Sequence, residues 1–165
     1  MERAILSAKL SAKALVVKNV ISIEEAGRLY EARPLGWNET GLVGMLKRAF
    51  TLKYFLYRNE RMLCAMRYDD IHDKFIIEKG GRKISIKTDR FTLGNRKYCI
   101  KTSMRRVEII ETEGREKKVV GRGKFGLSSY TVSFDSYPDK LKGVIKEISA
   151  LLIVRKMVWA MINPI

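Results

Sequence analysis

SYPDKLKGVIKEISALLIVRKMVWAMI, Ser136 to Ile162, decides how the rest of this chain must be arranged. Ser136 and Asp139 stand three apart like a shortened capping box, Pro138 falls in the first turn where a missing N–H costs nothing, and Asn163-Pro164 stops the run. The pattern predicts one helix over 136–162. Leu141, Val144, Ile145, Ile148, Leu151 and Leu152 begin as a single stripe. By Met157, Val158, Trp159 and Met161 the apolar positions circle the helix, apart from Arg155 and Lys156. A helix apolar on nearly all sides has to be surrounded. With two cations inside it and fewer than the roughly 20 unbroken apolar residues that a bilayer crossing needs, it reads as a buried core helix and not as a transmembrane segment.

The chain ahead of it supplies the enclosure. From Thr51 the hydrophobic period falls to two. Tyr54 and Leu56, the polar turn Arg58–Arg61, then Leu63, Ala65 and Arg67 form one predicted hairpin. Phe75–Glu78 and Lys83–Lys87 around Gly80-Gly81 form a second. Lys97–Lys101, Arg106–Ile110, Lys118–Val120 and Ser129–Phe134 continue the series, with Glu113-Gly114-Arg115 as a further turn. Seven to nine short strands are expected. The first fifty residues read differently. Ile5, Leu6 and Leu10 suggest a short helix within 2–17, followed by an extended piece through the patch Leu15, Val16, Val17, Val20 and Ile21. Ser22 with Glu25 makes a capping box for a helix facing inward through Ala26, Leu29 and Tyr30 and ending before Pro34. Pro34–Asn38 is a turn, and Asn38 or Thr40 caps another short helix through Leu42, Val43, Met45 and Leu46. The expected architecture is α+β: an antiparallel β-barrel or strongly curved sheet wrapped around a hydrophobic C-terminal helix, with short N-terminal helices. It is one domain over 1–165, with 1–49 mostly helical, 50–135 in strands and 136–162 the core helix.

The ordering, together with Gly126-Leu127-Ser128-Ser129-Tyr130-Thr131-Val132-Ser133-Phe134 leading into the apolar helix, resembles the tubby C-terminal-like superfamily, in particular its small LURP-one-related and scramblase-like members. The likeness spans about residues 50–162. It implies a barrel threaded by its C-terminal helix, and basic side chains that bind phosphoinositide headgroups. It assigns that role to no individual lysine or arginine here.

The composition agrees with a globular chain: 165 residues, 46% hydrophobic and 31% charged. A net charge of +15 makes polyanions the expected partners, and the excess lies in the β-rich part rather than in a tail. Cys64 and Cys99 each fall in an apolar, strand-like run, which suits reduced core thiols and a cytoplasmic setting. Glu2, Arg3, Lys9 and Lys13 interrupt any signal-peptide core, while MERAILSAKLSAKALVVK has the Ser and Lys spacing of an organellar presequence except for Glu2.

Two motifs invite a chemical reading and do not sustain one. Gly121-Arg122-Gly123-Lys124-Phe125-Gly126 is a literal G-x-G-x-x-G. A kinase would need its lysine and two aspartates afterwards, and a dinucleotide fold a helix at the third glycine, where Leu127–Phe134 instead alternates like a strand. The glycines more simply let strands bend where a barrel closes, with Arg122 and Lys124 in solvent. Tyr68-Asp69-Asp70-Ile71-His72-Asp73 gathers three carboxylates and the single histidine, but sequence-adjacent ligands in a turn do not converge on a metal. With one histidine and no nucleophile elbow, no catalytic residues, metal ligands or cofactor are assigned.

The cations carry the functional reading. Lys79, Arg82, Lys83 and Lys87 surround one hairpin, Arg90, Arg96 and Lys97 precede the next strand, and Arg105, Arg106, Arg115, Lys117, Lys118, Arg122 and Lys124 follow. Of these, Lys79, Arg82, Lys83, Arg105, Arg106, Lys117, Lys118, Arg122 and Lys124 are the candidate anion-binding residues. The expected protein is a non-enzymatic basic binding module for anionic ligands, foremost acidic phospholipid or phosphoinositide headgroups, at the periphery of a membrane. Nucleic acid or a ribonucleoprotein is the alternative partner, with Tyr54, Tyr57, Tyr98 and Tyr130 as stacking platforms should they face outward. A third reading is a structural protein–protein interaction domain, with Arg155, Lys156 and Trp159 at its interface.

Overall fold

Alternation of buried and exposed side chains governs the chain almost from its start. The structure, a computed structural model, describes residues 4–10, 20–39, 41–44, 52–126 and 130–162, with side chains as far as Ala160. Twelve strands form: β1 (Leu6–Leu10), β2 (Ile21–Glu25), β3 (Arg28–Pro34), β4 (Lys53–Arg58), β5 (Arg61–Asp69), β6 (Lys74–Lys79), β7 (Arg82–Lys87), β8 (Arg90–Leu93), β9 (Arg96–Thr102), β10 (Arg106–Glu113), β11 (Glu116–Phe125) and β12 (Thr131–Ser136). Each pairs antiparallel with the next, and β1 closes the ring on β12 with Leu6 opposite Phe134. The result is a closed barrel filled by the C-terminal helix, Ile145–Ile162.

The expected helical N-terminus is corrected. The spacing predicts a mostly helical 1–49, yet the described part holds three of the twelve strands. Leu6, Ala8 and Leu10 point inward at period two, so the residues that suggested a helix in 2–17 complete the ring instead. Ser22 and Glu25 do not cap a helix but lie in β2, where Ile21 and Ile23 are buried. Ala26 and Gly27 both adopt positive φ (49° and 78°), the geometry of a two-residue type I′ hairpin turn, and β3 returns with Tyr30 and Ala32 inward. Of the third predicted helix, 41–44 is helical; Thr40, Met45 and Leu46 lie outside the described residues, as do Val16 and Val17.

Between Thr51 and the final helix the nine strands β4–β12 match the seven to nine expected, with β8 only four residues long and joined to β7 through the single pair Lys87–Arg90, and β1–β3 bring the ring to twelve. The C-terminal helix is shorter than expected. Ser136 ends β12 rather than capping, Asp139–Leu141 is a 3₁₀ turn, and the α-helix begins at Ile145, giving 18 residues and a length of about 27 Å.

The two ends of the barrel differ. At one end β2–β3, β4–β5, β6–β7, β8–β9 and β10–β11 are each joined by two residues, among them Asn59-Glu60, Gly80-Gly81 and Gly114-Arg115. We call this the tight-turn end. The opposite end carries the longer connections, including 70–73 between β5 and β6 and 103–105 between β9 and β10. The helix enters at the tight-turn end and runs toward the other. Every residue from Val144 to Arg155 is buried, and Leu141, Ile145, Ile148, Leu151 and Ile153 are fully so. The helix fills the centre of the barrel, and the inward residues of the strands around it complete the core.

Three lysine–glutamate pairs fasten it where it enters. Lys146 Nζ donates to Glu25 Oε2 on β2 (3.0 Å), and Tyr137 donates to the other oxygen (2.7 Å). Lys79 Nζ on β6 reaches Glu147 Oε1 (3.3 Å) and the carbonyl of Gly143 (3.1 Å). Lys140 Nζ (2.6 Å), Arg96 (2.8 Å) and Tyr98 (3.2 Å) all donate to Glu111 Oε1 on β10. The hydrogen bond from Lys140, reinforced by Arg96, holds the Glu111 carboxyl down at about 2, below the usual glutamate value of about 4.3. Because the folded value is depressed, this carboxylate stabilises the fold fully above about pH 5, and that contribution disappears as pH falls through about 4 toward 2. Urea unfolding followed from about pH 6 down to about pH 2 is therefore expected to show a steep loss in that window, and Glu111→Gln to flatten it. An unchanged slope in the variant would place the acid sensitivity elsewhere.

The G-x-G-x-x-G motif lies in β11 as far as Phe125, with Gly126 just beyond the strand's end. Gly121 faces inward where a Cβ would come within 3.1 Å of Ile109 Cβ. A Cβ on Gly123 would be 2.9 Å from the Phe134 ring and closer still to the Ser133 carbonyl. Register shifts flank the pair, between Ile109 and Ile110 on β10 and between Arg122 and Gly123 against β12. The glycines thus serve close strand approach at two bulges, with Arg122 and Lys124 exposed.

Candidate anion-binding face

Residues opposite one another in an antiparallel ladder point to the same side of the sheet, so the registers show which cations share the barrel's outer wall. One row runs Lys74–Lys87–Arg90–Cys99–Ile110–Val119 across β6 to β11. A second runs Thr92–Lys97–Thr112–Lys117, and a third places Lys101, Glu108 and Arg122 side by side. Arg106 sits directly opposite Lys124. Neighbouring strands are about 4.8 Å apart, so Lys97 and Lys117, two strands apart, are separated by about 10 Å at the backbone.

These cations have no salt bridge or side-chain hydrogen bond among the described residues. Three of the cross-strand pairs, Lys74–Lys87, Lys87–Arg90 and Arg106–Lys124, set like charges directly against each other, an arrangement that costs several tenths of a kcal/mol per pair. The remainder of the wall is mixed: Ser7, Lys9, Glu24, Glu31, Lys53, Arg67 and Asp135 stand among its outward positions, and Asp69 lies at its border, directly opposite Lys74. The excess charge of the sequence is therefore gathered on the β6–β11 side. A concavity of about 580 Å³ lies in this side where β7 and β8 diverge, lined by Lys83, Arg90, Lys97 and Lys117 with Ser85 and Thr112, and by no carboxylate.

The nine candidates separate accordingly. Lys83, Arg106, Lys117, Arg122 and Lys124 are on this wall. Arg82 is exposed beside the Gly80-Gly81 turn, and Arg105 is in the β9–β10 connection at the opposite end. Lys118 pairs with Glu111 and so faces the mouth of the barrel rather than its wall. Lys79 is not available as an anion ligand: it is turned inward to Glu147 and Gly143. Lys74 and Lys101 complete the face and were missed. Their signal was parity: each adjoins a buried residue, Phe75 or Ile100, and so must point out.

Other candidates have internal roles. Tyr54 and Tyr98 are buried, and Tyr57 packs edge-on against Trp37, 6.1 Å between centroids. Arg33, buried on the outside of β3, is stacked between Trp37 and Tyr57 (4.2 and 4.5 Å) and paired with Glu31 and Glu60, the Glu60 bond chiefly pushing its pKa upward. Arg155 is buried against Asp89 and the Phe75 ring rather than held at an interface. In the 69–73 turn, Asp69 accepts from the backbone and ring of His72, and Tyr68 donates to Asp73 (2.8 Å). Both cysteines are free; burial, with Glu147 beside it, pushes the Cys64 thiol up to about 12, far from a nucleophile's range. Among the described residues no helix is long and apolar enough to cross a membrane. No family model, curated protein or solved structure matches this chain.

Proposed function

We propose that the protein is a non-enzymatic module that binds anionic surfaces through the β6–β11 face, with acidic phospholipid headgroups as its ligand. The observation that carries this is the set of unpaired cations opposed to one another across ladders: Lys74, Lys87 and Arg90 in one row, Arg106 and Lys124 in another. Such rows lower the stability of the free barrel, and a layer of phosphates relieves them. The concavity beside Arg90 and Lys97 adds a place for a single headgroup. This reading agrees with the phosphoinositide binding that the tubby-like resemblance implies.

Against nucleic acid stands the placement of the tyrosines: with Tyr54 and Tyr98 inside, the face offers cations without the aromatic platforms that single strands stack on. Co-sedimentation with phosphatidylcholine vesicles, with and without phosphatidylserine, tests the proposal. Binding is expected only to the acidic vesicles and to weaken steeply with salt. Lys74→Gln/Lys87→Gln/Arg90→Gln is expected to reduce affinity on the order of a hundredfold, at about 1 kcal/mol per cation, while the fold becomes slightly more stable. Equal binding to neutral and acidic vesicles, or an unaffected triple variant, refutes the lipid reading; salt-sensitive binding to RNA in its place would favour the alternative.

A further inference from the structure

We infer that the barrel docks end-on, pushing the tips of its long-connection end into the bilayer interface while the cations at that rim meet the phosphates. This rests on the anionic-lipid reading above and fixes which part of the molecule enters the membrane.

The exposed large apolar residues are unevenly placed. Ile71 in the β5–β6 connection and Met104 in the β9–β10 connection are each 85% exposed, and Trp159, where the helix emerges, is 49% exposed. Leu35, Leu42 and Val43 belong to the β3–β4 connection, which joins strands at the same end. The two-residue turns at the tight-turn end consist of glycine, alanine, asparagine, glutamate and arginine, and the exposed apolar residues at that end, Ile5, Leu29 and Met62, number three against six at the opposite end and are each less exposed than Ile71 and Met104.

Cations underlie these tips at the first or last ladder positions. Lys74 opens β6, Lys87 closes β7, Arg90 opens β8, Arg106 opens β10, and Lys124 is next to last in β11. Ile71 is three residues from Lys74 and Met104 two from Arg106. At about 3.3 Å per residue, the tips stand up to about 10 Å beyond the cations. Interfacial elements bury their apolar faces about 5–10 Å below the headgroup level, so the two layers of side chains match the two layers of the interface. Trp159 suits this depth, having an apolar body and one polar N–H. Beside it a cavity of about 600 Å³ is lined by the apolar Met104, Phe125, Leu152 and Trp159 and by the cations Arg105, Arg155 and Lys156, two of them on the helix. A side-on approach by the wall alone would use the same charges but leave Ile71 and Met104 in water.

The test separates the two ideas. In a Trp37→Phe background Trp159 is the sole tryptophan. On vesicles containing phosphatidylserine its emission is expected to shift to the blue and to be quenched by lipids brominated on their acyl chains. Ile71→Ser/Met104→Ser, both at exposed positions, is expected to keep the fold and lower affinity on the order of tenfold or more, since each change removes roughly one buried side chain's worth of transfer energy. Salt-sensitive binding with no quenching and an unaffected double variant overturns end-on insertion and leaves the charged-face reading in place. Absence of binding to acidic vesicles overturns both. Quenching that persists after Lys87→Gln/Arg90→Gln, with affinity unchanged, overturns the role given to the rim cations.

Discussion

Lys79→Met is expected to lower the unfolding free energy by about 3 kcal/mol without weakening adsorption to acidic vesicles. Glu147 is completely buried on the helix. Its Oε1 accepts from Lys79 and from the Cys64 thiol, while its Oε2 has no hydrogen-bond partner among the described residues. Removing the ammonium leaves the buried Glu147 carboxyl with one weak thiol donor, and breaking a buried pair by removing one partner costs several kcal/mol. Lys79 keeps 38% of its side chain in solvent, which puts the expected loss at the lower end of that range. Glu147→Leu in the same chain is expected to recover most of it, because replacing both charges with apolar groups removes the desolvation of each. Urea denaturation of the single and double variants gives both numbers. A silent Lys79→Met would mean that the lysine is free in solution, and would return it to the set of anion ligands.

Lys79 also shows where sequence reading reaches its limit. In EKGGRK it is indistinguishable from Arg82 and Lys83, since all three flank one predicted turn. Its inward direction follows from parity with Ile77, which the alternation shows. That a carboxylate waits for it 68 positions later does not follow from any local pattern. The core helix was legible because its composition leaves no other place for it, and the Gly80-Gly81 turn because only positive φ at both positions fits a type I′ hairpin. The N-terminal strands were misread for a related reason. ISIEEAGRLYEA satisfies helical spacing through Ala26, Leu29 and Tyr30 and strand alternation through Ile21, Ile23, Tyr30 and Ala32, and a capping box tipped the choice. What decides it is tertiary: a sheet of nine strands wrapped on a helix leaves an open seam, and β1 to β3 close it. The unpaired rows of cations were invisible for the same cause, as they exist only once the registers are set.

Ile148→Ala and Trp159→Ala, eleven residues apart on one helix, are expected to behave in opposite ways. Ile148 is fully buried within the barrel, and truncating it removes three methyl or methylene groups from a site that the rigid ladder around it cannot close. The expected cost is about 3 kcal/mol, within the range of roughly 2–5 for such substitutions. Trp159 is half in water and its ring lies 5.1 Å from the Arg155 guanidinium, so its loss should cost under about 1 kcal/mol. On acidic vesicles the order reverses: Trp159→Ala weakens binding, and folded Ile148→Ala binds as the parent does. Thermal unfolding and co-sedimentation on the same samples measure both. Equal destabilisation would make the emerging end of the helix part of the plug and remove it from the membrane-facing rim. A tolerated Ile148→Ala would mean that the barrel holds its shape without the helix, and the enclosure from which the outward display of charge follows would no longer explain the fold.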